Sequence, residues 1–181
     1  MKKVSIVIMG IIALIATSQV KAQGDMKIGA SLGIMLPMGD FGDAAKMGIG
    51  GMAEYKYMVA ENVAIGANLG YYSFGMKDYD DGSYSIMPIV ATGEYLFKPG
   101  EKLNPYVGAN LGLYNFKTSV TLMNIDASTS VTKFGFAPVL GILYELSDQM
   151  DFNANLRYNM IFTDETSTTT LGLNLGILYK L

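Results

Sequence analysis

The stretch Asp151-Phe-Asn-Ala-Asn-Leu-Arg-Tyr-Asn-Met-Ile-Phe162 alternates, residue by residue, between two kinds of side chain. Every second residue from Phe152 onward is apolar or aromatic, whereas the positions between them are mostly Asp, Asn and Arg. Successive side chains of a β-strand point to opposite faces of the sheet, so a period of two predicts a strand with one apolar and one polar face.

The same alternation recurs along the chain and predicts eight strands in all. At the C-terminus, Leu171, Leu173 and Leu175 alternate with glycine and asparagine. The predicted strands are Met26–Leu36, Ile49–Tyr57, Val63–Phe74, Ser85–Phe97, Tyr106–Phe116, Phe134–Leu146, Asp151–Phe162 and Leu171–Leu181.

The two faces of these strands differ in charge. One face is apolar and carries no charged residue; it includes Ile28, Leu32, Ile34, Tyr55, Ile65, Leu69, Ile89, Leu111 and Ile142. The other face carries all the strand charges: Lys27, Glu54, Lys56, Glu94, Glu145, Asp151, Arg157 and Lys180. A soluble barrel would place apolar residues inside and charges outside. The uncharged face is therefore predicted to meet lipid.

A membrane setting dictates how the strands are arranged. Beyond residue 22 no run of about 18 apolar residues is present, so the sequence offers no membrane-spanning helix there. In hydrocarbon each unpaired backbone group costs several kcal/mol, and a sheet with free edges is not viable. The prediction is an all-β fold, an eight-stranded antiparallel up-and-down transmembrane β-barrel.

Residues 1–22 have the features of a signal peptide. Lys2 and Lys3 precede an apolar run, Val4 to Ala16, that is too short to span a membrane. Small or modest residues at Val20 and Ala22 predict cleavage after Ala22, which leaves one barrel domain over residues 23–181. With three of the 13 basic residues removed and all 16 acidic residues kept, the mature chain is acidic and is not expected to bind nucleic acid.

Composition also argues against catalysis. The chain has no histidine and no cysteine, so the usual general base and the thiol nucleophile are both missing. We expect no enzyme activity, no cofactor and no metal. The segment Asp78-Tyr-Asp-Asp-Gly82 is acidic enough for calcium, but Gly82 and Ile89 stand where an EF-hand loop needs ligands, which favours a solvated loop.

Aromatic residues and prolines give further detail. The aromatics predict one interfacial girdle at Tyr55, Tyr57, Tyr95, Phe97, Tyr144 and Tyr179, and a second at Tyr71, Phe74 and Phe162. Proline cannot donate to a strand ladder, so Pro88 and Pro138 predict a bulge or a strand end near the outer rim.

Connections alternate in length, which predicts short periplasmic turns and longer external loops at 37–48, 75–84, 117–133 and 163–168. The loop at 117–133 has two interpretations. Its two halves, Ser119–Met123 and Ser128–Thr132, keep a strand-like composition and could form a projecting hairpin whose edge accepts a partner's strand. A flexible Ser/Thr-rich loop is the other interpretation.

The inward face carries a small-residue repeat and the eight charges. The repeat is Gly66-x-Asn-x-Gly70, Gly108-x-Asn-x-Gly112 and Gly172-x-Asn-x-Gly176, with Gly29-x-Ser-x-Gly33 as a variant. The charges converge towards the periplasmic turns in equal numbers of each sign and predict a lumen network of ion pairs. Such a network either plugs the barrel or acts as a gate for small solutes, and the narrow interior of an eight-stranded barrel favours the plug.

The mature chain resembles the small OmpA/OmpX-like outer membrane β-barrel family. The resemblance is carried by the opening Ile28-Gly-Ala-Ser-Leu-Gly-Ile-Met-Leu-Pro37, by Asn104-Pro-Tyr-Val-Gly108, by the Leu146-Ser-Asp148 turn, and by the C-terminal strand with Tyr179. It implies a non-enzymatic envelope scaffold in outer-membrane lipid that presents loops to an extracellular partner. It also implies insertion by the barrel-assembly machinery, although many members end in Phe and this chain ends in Leu181. A narrow porin-like channel is the alternative function.

Overall fold

The computed structural model describes residues 24–77, 82–122, 125–163 and 167–181. The predicted signal peptide and the acidic segment 78–81 lie outside the described residues. The eight strands form a closed antiparallel barrel in which each strand pairs with its neighbours in chain order, and the first strand pairs with the last. The predicted fold class and strand number are confirmed.

Each strand is longer than the sequence pattern predicts. Their bounds are β1 Met26–Met38, β2 Ala45–Ala60, β3 Val63–Met76, β4 Gly82–Leu96, β5 Leu103–Leu122, β6 Ile125–Ser147, β7 Met150–Phe162 and β8 Ser167–Lys180. Of these, β2, β5 and β6 exceed their predicted bounds by seven to ten residues. A single helical turn, α1 (Asp40–Ala44), connects β1 to β2. No helix in the described ranges is long and apolar enough to cross a membrane.

The strands are tilted relative to the barrel axis. If the paired residues are followed from Ile28 on β1 once around the ring, the path returns to β1 at Met38, ten residues further along. Closing a barrel requires tilted strands and a fixed stagger of their register. The stagger of ten residues therefore decides which inward side chains lie at the same height along the barrel axis.

The apolar face points outward, as predicted. Leu32 is 77% exposed, and Leu69, Ile89 and Leu111 are each about half exposed, although all three are strongly hydrophobic. The charged face points inward, where Glu54 and Arg157 are buried. Large apolar residues outside and buried charges inside are the arrangement that a lipid solvent requires.

Neither proline produces the predicted bulge or strand end. Pro88 lies within β4 and Pro138 within β6, and both strands continue past them. Pairing is interrupted on one side only, between β3 and β4 at Pro88 and between β6 and β7 at Pro138, and the register resumes unchanged. A strand residue directs its N–H to one neighbour, so a proline removes a bond from one ladder and leaves the other ladder intact.

The segment predicted as the third external loop is mostly strand. β5 and β6 pair continuously up to Leu122 and Ile125, so they form the projecting hairpin that was one of the two interpretations. The opposite end of the barrel has the two-residue turns 61–62 and 148–149. Short turns mark the periplasmic end of such barrels, so the hairpin projects from the external end.

Candidate functional site: the barrel lumen

Four of the eight predicted lumen charges meet at the periplasmic mouth. Lys27 Nζ lies 2.8 Å from Asp151 Oδ2, and Lys180 Nζ lies 3.0 Å from Glu145 Oε2 and 3.2 Å from Asp151 Oδ1. These four residues sit at the periplasmic ends of β6, β7, β8 and β1, which are neighbours around the closed barrel. The Glu145 side chain remains 43% exposed, so this group is partly hydrated and its pairs are weaker than fully buried ones.

The other four charges lie deeper and are almost completely buried. Lys56 Nζ lies 2.8 Å from Glu94 Oε2 and 3.7 Å from Glu54 Oε2, and Arg157 lies 3.5 Å from Glu54 Oε1. Each of these side chains is 4% exposed or less. Buried charges persist only when they are paired, so the four form one mutually dependent unit. The described residues show no ion pair between this unit and the group at the mouth.

Neutral groups complete the bonding of the deep unit. Glu54 accepts hydrogen bonds from the Ser31 hydroxyl at 2.8 Å and from Asn153 Nδ2 at 3.1 Å. Arg157 Nε donates to Asn155 Oδ1 at 2.7 Å, and its guanidinium also contacts the sulfur of Met52. Glu54 therefore has several partners, which makes it the better anchored of the two carboxylates in the unit.

The asparagines of the sequence repeat line the middle of the lumen. Asn68, Asn110 and Asn174 are each 1–2% exposed. Asn174 accepts a hydrogen bond from the Tyr72 hydroxyl. By contrast, both polar atoms of the Asn68 amide and Oδ1 of Asn110 lack a hydrogen-bond partner among the described residues. Unpaired buried amides are uncommon and mark the least satisfied wall of the lumen.

The lumen also has an apolar filling, which the alternation of polar and apolar residues did not predict. The outer half contains a buried cluster of Met35, Ala45, Met52, Tyr72, Phe74, Ile86, Val90, Tyr114 and Ile161. A second cluster, Met58, Ala64, Leu96, Tyr106, Val139, Leu143 and Leu178, fills the periplasmic half. The sequence signal was present for all of them except Ala45, because these residues have the same odd or even numbering as the polar positions on their strands. Ala45 differs because a register shift separates it from the rest of β2.

Phe74 is the clearest correction. The sequence predicts Phe74 in the outer aromatic girdle together with Tyr71, but Phe74 points inward and is 1% exposed, whereas Tyr71 is 57% exposed. Residues three apart on a regular strand lie on opposite faces, so the two could not share one girdle.

An aromatic cap lies over the outer cluster. Phe41 of α1 packs edge to face against Phe74, Tyr84 and Phe116, with ring centroids 5.4 to 6.3 Å apart. Lys77 fixes the helical turn, since its backbone N–H donates to Ala44 O at 3.0 Å and its Nζ contacts the carbonyl of Gly42. The external mouth is thus covered by protein.

The periplasmic mouth is open. A cavity of about 460 Å³ lies there, bordered by the ion-pair group at the mouth and by the turn at residues 99–102. Its inner end meets Leu96 and Leu143 of the periplasmic apolar cluster. Solvent entering from this side reaches the charges at the mouth and then meets the apolar cluster.

A closed antiparallel barrel with an apolar exterior, a charged interior and a projecting external hairpin defines an outer-membrane β-barrel protein, seated in a lipid bilayer. Residues 6–180 match the family described as "Outer membrane protein beta-barrel domain". The chain belongs to this family.

Individual relatives are more distant. The chain is 30% identical over 100 residues to protein opa of Haemophilus influenzae, a match that spans 55% of this chain and 82% of that protein. Neisserial surface protein A superposes with a TM-score of 0.63 at 21% identity, covering 87% of this chain and 97% of its own. Ail, the attachment invasion locus protein of Yersinia pestis, superposes with a TM-score of 0.59 at 15% identity, covering 90% and 100%. At these identities the two structures share the fold.

Proposed function

We propose that this protein is a non-enzymatic scaffold of the outer membrane, a closed barrel that holds its external hairpin and loops for contact with partners or surfaces. The observation that carries the proposal is the filled lumen. From the periplasmic side, a solute would meet a partly hydrated ion-pair group, an apolar cluster, the buried Lys56–Glu94 pair, a second apolar cluster and the Phe41 cap.

Energetics support a closed lumen. Parting Lys56 from Glu94, which are 2.8 Å apart and nearly inaccessible, would leave two uncompensated charges in a confined interior. An eight-stranded barrel is just wide enough for side chains to fill, so there is little free space into which they could move. The absence of histidine and cysteine from the sequence supports the non-enzymatic part of the proposal.

The names of two relatives support the surface role. One is called a surface protein and another an attachment invasion locus protein. Those names describe those proteins. Together with the hairpin that projects from this barrel, they make surface contact the favoured function here.

A narrow channel is the second candidate, and the unpaired amides favour it. Asn68 and Asn110 line the middle of the lumen with polar atoms that have no partner among the described residues. Polar lining of this kind would lower the barrier for a hydrated ion if the neighbouring ion pairs rearranged.

Electrical conductance separates the two candidates. The refolded mature chain, residues 23–181, would be inserted into a planar lipid bilayer, with protease protection of the barrel used to verify insertion. We expect no reproducible conductance steps. Ohmic steps that change in Glu54→Gln or Arg157→Met, and do not change in the exposed control Lys98→Gln, would overturn the closed scaffold and establish the channel.

A further inference from the structure

The cavity at the periplasmic mouth has the size of a small-molecule site. Its volume, about 460 Å³, falls within the range of about 300–1,000 Å³ that is usual for ligand pockets. Its inner end is apolar, because Met58, Leu96 and Leu143 of the periplasmic cluster line it and are buried. A ligand can therefore enter from the periplasm and be held there without crossing the barrel.

Most of the charged side chains that line the cavity already have a partner. The ion-pair group at the mouth accounts for four of the eight. At the neighbouring turn, Glu101 Oε2 lies 3.0 Å from Lys98 Nζ. Lys102 Nζ lies 5.4 Å from the centre of the Tyr144 ring, within the range of a cation–π contact. These contacts leave two lining charges without a partner.

Those two charges are both carboxylates. Asp25 and Glu61 are exposed, and in the described part of the chain neither side chain has an ion pair or a hydrogen bond. The backbone carbonyl of Asp25 accepts a hydrogen bond from Met58 N at 3.0 Å, and Glu61 begins the turn after β2. Unpaired carboxylates favour a cation over an anion. The described ranges contain no group of acidic side chains that could hold a metal ion, which favours an organic cation.

A buried amide adds a hydrogen-bond donor to the same cavity. Asn104 of β5 lines the cavity and is only 7% exposed. Its Oδ1 accepts a hydrogen bond from the backbone N–H of Lys98 at 3.2 Å, which identifies the oxygen and directs Nδ2 away from that bond. No hydrogen bond from Nδ2 is formed among the described residues. Buried polar groups normally have a partner, so this donor is available to an oxygen of a ligand.

We propose that the cavity binds an amphipathic organic ammonium compound that also carries a carbonyl group. Its apolar part lies on the apolar inner end, its ammonium group pairs with Asp25 and Glu61, and its carbonyl oxygen accepts a hydrogen bond from Asn104 Nδ2. An amino-acid amide and the first residue of a polypeptide both combine an ammonium group, a carbonyl group and an apolar side chain. The site faces the periplasm, so this inference goes beyond the proposed external contact and does not rest on it.

The probe is leucinamide, and two control compounds each lack one of its groups. N-acetyl-leucinamide lacks the charge, and isoamylamine lacks the carbonyl. Each compound is titrated into the ¹⁵N-labelled mature chain, residues 23–181, in zwitterionic lipid nanodiscs, and the amide shifts of Met58 and Asn104 give the dissociation constants. We expect saturable binding of leucinamide and several-fold weaker binding of both controls. Added salt should weaken the binding of leucinamide, because the two carboxylates are exposed.

Variants test each contact separately, with folding verified by far-UV circular dichroism. Asp25→Asn/Glu61→Gln should weaken leucinamide several-fold and leave N-acetyl-leucinamide unchanged. Asp148→Asn is the matched control, because Asp148 is an exposed acid of a periplasmic turn that does not line the cavity, and it should leave binding unchanged. Asn104→Asp keeps the acceptor for Lys98 N–H but removes the donor, so the preference for leucinamide over isoamylamine should disappear.

Three results would overturn the proposal. They are shifts that do not saturate with leucinamide, equal affinity for leucinamide and N-acetyl-leucinamide, and unchanged affinity in Asp25→Asn/Glu61→Gln. An unchanged preference for leucinamide in Asn104→Asp would overturn the role of the carbonyl.

A longer probe distinguishes the two sources of this chemistry. If the amide of the tetrapeptide Leu-Ala-Ala-Ala binds more tightly than leucinamide, the site is assigned to the amino terminus of a polypeptide. Equal or weaker affinity assigns it to a small compound, and both outcomes support the site. Conductance is measured separately, so a barrel that binds no probe but remains electrically silent would leave the proposed scaffold function standing.

Discussion

The stability of the barrel should depend more on Lys56 than on Arg157, although both are buried lumen cations. Lys56 is the cation paired with Glu94, whose side chain is 3% exposed. Lys56→Met would leave that carboxylate buried without an ionic partner among the described residues. Breaking a buried pair in this way costs about 3–5 kcal/mol of unfolding free energy.

Arg157→Met should cost less, about 1.5–3 kcal/mol of unfolding free energy, which is the range for losing a hydrogen bond to a charged group. Its partner Glu54 retains bonds to Ser31 and Asn153 and remains 3.7 Å from Lys56. The guanidinium is also 3.5 Å from Glu54, which is long for a strong ion pair. The expected order of destabilisation is therefore Lys56→Met above Arg157→Met.

The double variant Lys56→Met/Glu94→Leu tests the physical reason. Replacing both members of a buried pair with apolar residues is often close to neutral, so the second change should recover most of what the first one lost. Urea unfolding of the refolded barrel in detergent, followed by far-UV circular dichroism because the chain has no tryptophan, gives the four free energies of the cycle. Additive single effects, or equal losses for Lys56→Met and Arg157→Met, would refute the argument.

Two further predictions compare residues of similar type, the first across the barrel wall and the second at different depths on the lipid face. Phe74→Ala should lower the unfolding free energy by about 3–5 kcal/mol, because Phe74 is buried under the aromatic cap. Tyr71→Ala, on the lipid face, should cost clearly less in the same urea titration. Leu32→Arg, on the lipid face in the middle of β1, should cost about 2–4 kcal/mol, whereas Leu181→Arg at the periplasmic end should cost about 0–1 kcal/mol. Equal losses for the two arginine variants would contradict the assigned lipid face.

The two-residue period determined the strands and their two faces. Alternation such as that from Asp151 to Phe162 depends only on the geometry of an extended chain, so it can be read without knowing any long-range contact. The uncharged face then indicated that the strands lie in lipid. A lipid environment in turn requires a closed barrel, because hydrocarbon offers no hydrogen-bond partner to the backbone groups of a free sheet edge. The projecting hairpin was also within reach of the sequence, through the strand-like composition on both sides of its tip.

Only the closed barrel decided which inward residues meet. Lys56 and Glu94 are 38 residues apart, and Lys27 and Asp151 are 124 residues apart. Alternation places each of them inside but does not say at which level, because the level depends on the ten-residue stagger that accumulates around the ring. The stagger separates the eight charges into a group at the mouth and a deeper unit with apolar clusters on either side, which local pattern cannot specify.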